Sequence, residues 1–147
     1  MANPRRRFEQ RFVALLILSD LAVCAAAVLL AYWLRRALGP GVLAPFKHGL
    51  SIYTGALPIV LAIWLVVFAA TGMYDPRRTL STIAARGADF RAVSLATLMV
   101  AAASFLSHFH YSRLMWLEFW ALGLVLTWAS RAFWGRVREH ALTRPEN

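Results

Sequence analysis

Four long apolar stretches dominate the sequence and limit what the chain can fold into. They cover residues 12–34, 51–72, 92–109 and 114–133. Each has about the 20 residues that an α-helix needs to cross a hydrocarbon core of about 30 Å. None shows the alternation of a β-strand, and lipid admits only helices or closed barrels as spanning structures. We therefore predict one all-α domain over residues 1–147, an integral membrane bundle of four transmembrane helices.

The composition agrees with a membrane protein. Only 16% of the residues are charged and 60% are hydrophobic, whereas a soluble domain carries about 25% charged residues. The first stretch follows three arginines, so a cleaved signal peptide is the alternative to a retained helix. The apolar core of a signal peptide is about 7–15 residues long. This stretch is longer and ends on two arginines, which favours a retained transmembrane helix.

The basic residues orient the predicted bundle. With the amino terminus inside the cell, twelve of the sixteen Lys and Arg residues fall on the cytoplasmic side and four on the outer side. Lys and Arg in short loops concentrate on the cytoplasmic side, so we predict that both termini are cytoplasmic. The net charge of +9 is then explained by topology and by contact with anionic lipid. Nucleic-acid binding would need a soluble basic face with interleaved aromatic residues, and we expect no nucleic-acid partner.

The second stretch ends on the sequence GMYDPRR, which has the signals of a turn followed by a helix. Asp75 can cap the first amide groups of a helix, and Pro76 suits the first helical position. Arg77 and Arg78 would then lie at the level of the lipid phosphates. Capping and charge placement explain these residue types, and a specific contact with a lipid phosphate or a partner domain is the alternative reading of Asp75, Arg77 and Arg78.

A short interfacial helix is predicted between spans two and three. Apolar or small residues recur there near helical spacing, at Leu80, Ile83, Gly87 and Phe90. The charged residues fall on the other faces, at Arg77, Arg78, Arg86, Asp89 and Arg91. A helix of this pattern suits the cytoplasmic surface of the membrane, before the chain turns into span three.

Two acids lie inside predicted spans, where an ionised carboxylate needs a partner. Asp20 is about 13 Å along its helix from Arg11, and Arg131, near the cytoplasmic end of span four, is the nearest base by depth. Glu118 lies in the outer part of span four. Its candidate partners are Arg35, Arg36, Arg113 and His110. We interpret these acids as helix-pairing residues, with transport as the alternative.

The residues of soluble catalytic sites are missing. The sequence has no glycine-rich phosphate loop, and no Ser, His and Asp set lies in plausible proximity. The seven acids stand singly. His108 and His110 resemble half of a metal site but lack further ligands, and Cys24, the lone cysteine, can form no internal disulfide. We predict no catalytic residue, metal site or cofactor site in this chain.

Three segments together resemble the amino-terminal membrane region of the large bacterial polyprenyl-phosphate sugar-1-phosphate transferases. They are LILSDLAVCAAAVLLAYWLRR, TGMYDPRRTLS and YSRLMWLEFWALGLVLTWASRAFWGRVR. The resemblance covers almost the whole chain. It depends on the four-span layout and on the order and spacing of short motifs, namely Ser19-Asp20-Leu21, Tyr74-Asp75-Pro76-Arg77-Arg78, Ser112-Arg113 and Ser130-Arg131.

The resemblance implies a pathway and a place in the cell. In that family the membrane region precedes a nucleotide-fold-like domain and a catalytic domain, which uses an Asp-Glu pair and Mg²⁺ to transfer a sugar-1-phosphate from a nucleotide sugar to undecaprenyl phosphate. This chain lacks that catalytic domain, so whether it acts as an enzyme stays open. We expect a membrane-anchoring or scaffold domain, or a truncated homologue, that serves the start of exopolysaccharide, O-antigen or capsule synthesis in the bacterial cytoplasmic (inner) membrane.

Partners and rival functions follow from the same resemblance. The expected partners are anionic lipid or polyprenyl phosphate, a cytoplasmic transferase domain, or further copies of the chain. The second hypothesis is that the chain is the membrane region of a nucleotide-sugar dehydratase of polysaccharide synthesis, because such membrane-bound dehydratases begin with four similar spans. The third is a free-standing small membrane protein that partners such an enzyme or a transporter.

Overall fold

The computed structural model describes residues 3–38, 49–75, 83–107 and 113–143, and these residues form four α-helices. In chain order they are α1 (Pro4–Ala37), α2 (Leu50–Ala70), α3 (Ile83–Leu106) and α4 (Arg113–Thr143). Each helix packs against two neighbours: α1 and α3 both contact α2 and α4. Tyr32, near the end of α1, meets Tyr53, near the start of α2, with ring centroids 5.6 Å apart. The helices therefore form an up-and-down bundle.

Three of the helices are long and apolar enough to cross a membrane. The most apolar windows of α1, α2 and α3 have mean hydropathies of 2.6, 2.3 and 1.4. The prediction of an all-helical fold is confirmed for the described residues, and three of the predicted spans lie in helices that are long and apolar enough to cross a membrane. The fourth predicted span, residues 114–133, is helical and lies inside α4, but α4 is not among the helices that meet the same test of apolarity.

The helices differ in length, which leaves part of α1 and α4 beyond the end of α2. At about 1.5 Å per residue, the 34 residues of α1 and the 31 of α4 are longer than the 21 of α2. The start of α1 and the end of α4 stay together, because the Phe12 and Trp134 rings meet edge to face at 6.0 Å. Arg138 lies over the same Phe12 ring at 5.6 Å. The two ends thus project as a helix pair.

A glycine turn ends α2. The Gly72 amide donates to the Ala69 carbonyl at 3.2 Å, and the Met73 amide donates to the Phe68 carbonyl at 3.0 Å. This pair of bonds is the Schellman motif, which requires a left-handed residue after the helix. Gly72 supplies it with φ of +74°, and Met73 and Phe68 are both buried beside it. The GMY sequence therefore turns the chain back towards the core.

The structure corrects the predicted interfacial helix. Within the described residues no separate short helix precedes span three, because α3 runs unbroken from Ile83 to Leu106. On its predicted apolar face, Ile83 is 89% and Phe90 43% exposed, as contact with lipid requires, and Leu80 lies outside the described residues. Asp89, predicted on an outer face, is buried. No proline lies between Arg86 and Ala92 to end the helix, and the small Ala85 can pack closely against the bundle where bulkier residues cannot.

Candidate functional site

Polar side chains join α1 and α4 in the bundle interior. The Arg131 Nη2 atom donates to Asp20 Oδ2 at 2.7 Å, and the two residues are 2% and 1% exposed. One residue earlier on each helix, the Ser19 and Ser130 hydroxyl oxygens are 2.8 Å apart, and either can donate. We call these four residues the α1–α4 clamp. Depth along the helices selected Asp20 and Arg131 as partners, and the structure brings them together.

The ion pair in the clamp is a single contact. A guanidinium can grip a carboxylate with two parallel hydrogen bonds, but here only one is made. Asp20 Oδ1 and the Nε and Nη1 atoms of Arg131 are buried without a hydrogen-bond partner among the described residues. Because a buried charge is costly when its partner is removed, the clamp stabilises the folded bundle only while Arg131 keeps an acceptor at position 20 and Asp20 keeps a donor at position 131.

Tyr74, in the turn after α2, belongs to the same region. Its hydroxyl lies near the Asp20 carboxyl but outside hydrogen-bonding geometry. Burial, and then the Asp20 charge, raise the pKa of the Tyr74 hydroxyl above its usual range. The hydroxyl therefore keeps its proton and can act only as a donor towards the carboxyl. The turn after α2 therefore places a phenol beside the clamp.

A second ion pair joins the same two helices further along. Arg35 Nη1 and Glu118 Oε1 are 3.7 Å apart. Among the candidates for Glu118, Arg36 instead stands over the Trp33 ring at 5.5 Å, and Arg113 is exposed at the start of α4. His110 lies outside the described residues.

The two ion pairs have opposite polarity. In the clamp, α1 carries the acid and α4 the base, whereas in the second pair α1 carries Arg35 and α4 carries Glu118. The charges are 15 residues apart on α1 and 13 on α4, or about 22 and 20 Å along the axes. Reversing α4 would therefore set acid against acid and base against base. The charges select an antiparallel pair in one register, which is specificity by repulsion of the alternatives.

The predicted cytoplasmic turn is only partly described. Asp75 is the last residue of the described segment 49–75, and its amide donates to the Gly72 carbonyl at 3.3 Å. Pro76, Arg77 and Arg78 lie outside the described residues. A role for Asp75, Arg77 and Arg78 in binding phosphate or a partner stays a prediction.

The interior is arranged for helix pairing. The two ion pairs lie roughly 20 Å apart along the bundle. Their acids are therefore too far apart to act together on one substrate atom. Among the described residues, no group of three or more His, Cys, Asp or Glu side chains could hold a metal ion. Cys24 is fully buried and has no exposed face for chemistry.

Two interior features were missed by sequence reasoning. Asp89 is 3% exposed, although its charge marked it as a surface residue. Gly123 of α4 lies against the fully buried Trp64 of α2. A glycine in the middle of an apolar stretch, with a tryptophan on another span, was the available signal for close packing.

Comparisons of the chain with models of protein families, with characterised proteins and with solved structures return no match. What the chain does is therefore inferred from its own residues and their geometry.

Proposed function

We propose that the chain is a membrane anchor and scaffold like the one that begins the large bacterial polyprenyl-phosphate sugar-1-phosphate transferases. It would serve the start of lipid-linked surface-polysaccharide synthesis at the bacterial inner membrane. One observation carries the proposal. The motifs behind the resemblance meet in space, since Ser19 and Asp20 pair with Ser130 and Arg131, and Tyr74 lies beside Asp20. Motif residues that contact one another in the interior of a membrane bundle are expected to hold that bundle together as a scaffold.

The same geometry supports a scaffold over transport or catalysis. The acids at the two depths are each engaged with one arginine of a neighbouring helix. The centre of the bundle between them is filled by aromatic side chains, with Trp64 and Phe119 fully buried and their rings 5.5 Å apart. A transport path would need a polar passage there. In a transferase of this class, Mg²⁺ would belong to the catalytic domain and not to the membrane region.

The proposal includes α4 as a fourth span over residues 114–133. The charges that lower its apolarity are Glu118 and Arg131, and both face α1 in ion pairs. Paired charges inside a bundle cost less in lipid than free ones, so α4 can cross beside α1 despite them. The four tryptophans of α4 also suit a span, because indole rings favour membrane interfaces.

Both termini would be cytoplasmic, since twelve of the sixteen basic residues then fall on that side. Reporters fused after Arg7 and after Thr143 are expected to read cytoplasmic, and one inserted after Leu38 periplasmic. A folded phosphatase and a fluorescent protein, active on opposite sides, provide the paired readout. Opposite readings at the two termini would eliminate the fourth span, and three inverted readings would reverse the orientation.

A domain exchange tests the function. Residues 1–147 would replace the membrane region of a transferase of this class and, separately, that of a membrane-bound nucleotide-sugar dehydratase. We expect the transferase chimera to retain at least half of the parental transfer of sugar phosphate to undecaprenyl phosphate in membranes. A chimera with four unrelated spans is the matched control. If the transferase chimera inserts into the membrane but is inactive, while the dehydratase chimera is active, the dehydratase hypothesis is favoured.

The coding sequence that follows Asn147 gives an independent answer. A following domain with an Asp-Glu pair would favour the transferase hypothesis. A dinucleotide-binding dehydratase domain would favour the dehydratase hypothesis, and a stop codon would favour a free-standing membrane protein. For the proposed function, the partners are a cytoplasmic transferase domain or further copies of the chain, together with anionic lipid or polyprenyl phosphate.

A further inference from the structure

A groove of about 520 Å³ runs along the first four turns of α1. It exists because α1 continues past the end of α2, where Tyr74 closes the groove. Its walls are Arg6, Glu9, Gln10, Val13, Ala14, Ile17 and Tyr74.

The chemistry of the groove changes along its length. Its outer end carries a guanidinium, a carboxylate and an amide, its middle is aliphatic, and its inner end is the phenol of Tyr74. Neither Arg6 nor Glu9 takes part in an ion pair within the described part of the chain. A charged mouth of both signs above an apolar wall is the chemistry of a phospholipid, with headgroup charges above hydrocarbon.

The depth of the groove fits the same ligand. Arg6 and Arg36 are 30 residues apart on one unbroken helix, or about 45 Å. A bilayer with its headgroups is about 40–45 Å thick, so one arginine lies at phosphate level on each side of the membrane. Val13 and Ile17 are then about 10 and 16 Å deeper than Arg6, beside the fatty-acyl chains.

We propose that this groove binds one phospholipid whose headgroup carries a primary amine. Arg6 holds the phosphate, Glu9 accepts hydrogen bonds from the ammonium group, and Val13, Ala14 and Ile17 contact the start of one acyl chain. A purely anionic headgroup would satisfy Arg6 but would leave the Glu9 carboxylate facing negative charge. The amine is therefore the selective feature. The site requires only that α1 crosses the membrane, so it is independent of the proposed function.

Native mass spectrometry of the full chain, released from mixed-lipid nanodiscs, tests the site. The nanodiscs contain equal amounts of phosphatidylethanolamine and phosphatidylglycerol with identical acyl chains. We expect the wild type to retain phosphatidylethanolamine about threefold over phosphatidylglycerol, the scale of one exposed ion pair. Arg6→Gln should lower the retention of both lipids about fivefold, and Glu9→Gln should bring the ratio of the two lipids close to one.

Arg7→Gln is the matched control, because Arg7 is exposed on the same helical turn but does not line the groove. It should leave retention and ratio unchanged. Equal losses in Arg6→Gln and Arg7→Gln would show diffuse attraction to the membrane surface and overturn the site. A wild type that retains no lipid would do the same, and one that prefers phosphatidylglycerol would overturn the amine.

Discussion

Asp20→Leu is expected to lower the stability of the bundle by about 2 to 3 kcal/mol, and Arg131→Leu by a similar amount. Each change leaves the other charge of the clamp buried and unpaired. In soluble proteins the removal of one partner of a buried pair costs about 3–5 kcal/mol. Interhelical polar contacts in membranes average about 0.6 kcal/mol, with a maximum of about 1.7. The membrane value is smaller because polar groups also find partners when the helices are separated in the membrane, so the two figures bracket our expectation.

The conservative change should be mild. In Asp20→Asn the side chain still accepts a hydrogen bond from the Arg131 guanidinium, although the charge attraction is lost. We expect less than about 1 kcal/mol, the scale of one ordinary hydrogen bond. An Asp20→Asn variant as unstable as Asp20→Leu would assign the effect to charge alone.

A double-mutant cycle measures the pairing itself. Stability is read from unfolding in mixed detergent micelles for the wild type, both single leucine variants and the double variant. The double change should cost about 1 kcal/mol or more less than the sum of the singles. The control is the Arg35 and Glu118 cycle, where the charged atoms are 3.7 Å apart and Glu118 is 17% exposed, so a smaller coupling is expected. If the stability losses of Asp20→Leu and Arg131→Leu simply add, the two residues do not stabilise each other and the clamp hypothesis is wrong.

Much of the fold was predictable because the membrane restricts the choices. Apolar stretches of about 20 residues favour the helix as the spanning structure, and three helices are long and apolar enough to span. The partner of Asp20 could be predicted from its depth in the bundle, because Arg131 is the only base at that level in span four. Glu118 had four candidates near its end of the bundle, and depth alone cannot choose among neighbours on one turn. The rotation of α1, which turns Arg35 inward and Arg36 outward, had to come from the structure.

The start of α3 shows where the pattern misled. In water, apolar Ile83 and Phe90 would point to the core and Asp89 away from it. Next to lipid the outside is also apolar, so the hydrophobic face no longer identifies the buried one. Buried faces in membranes are marked by small residues that allow close approach, such as Ala92 and Ala96, which are both fully buried. If the buried face of α3 is instead counted from Ala85 at helical spacing, it passes through Asp89, Ala92 and Ala96. Asp89 is then correctly predicted to be buried.

The contact of Gly123 with Trp64 should give the second large effect. A Cβ at position 123 would lie 3.1 Å from the Trp64 Cη2 atom and 3.7 Å from Val93 Cγ1. The indole has little room to move, because Phe68 and Phe119 pack on it with ring centroids 4.9 and 5.5 Å away. Gly123→Ala is therefore expected to cost about 1 kcal/mol and Gly123→Leu about 3 kcal/mol, the range for overpacked cores.

The control and the rescue separate overpacking from a general intolerance of larger residues. Gly87 of α3 is helical and has no atom within 4 Å of an added Cβ, so Gly87→Leu should be neutral or stabilising, since any ordinary residue improves on glycine in a helix.

Trp64→Phe removes the ring that Gly123 touches and leaves a cavity on its own. Combined with Gly123→Ala, it should make the alanine neutral or favourable, because the new methyl group enters the space that the indole leaves. Micelle unfolding and Trp fluorescence of the wild type, Gly123→Ala, Trp64→Phe and the double variant measure this coupling. A Gly123→Leu protein within about 0.5 kcal/mol of the wild type would mean that α2 and α4 are not held at this distance. The aromatic centre would then no longer argue against a passage between the two ion pairs, which makes this contact the point at which packing and proposed function are tested together.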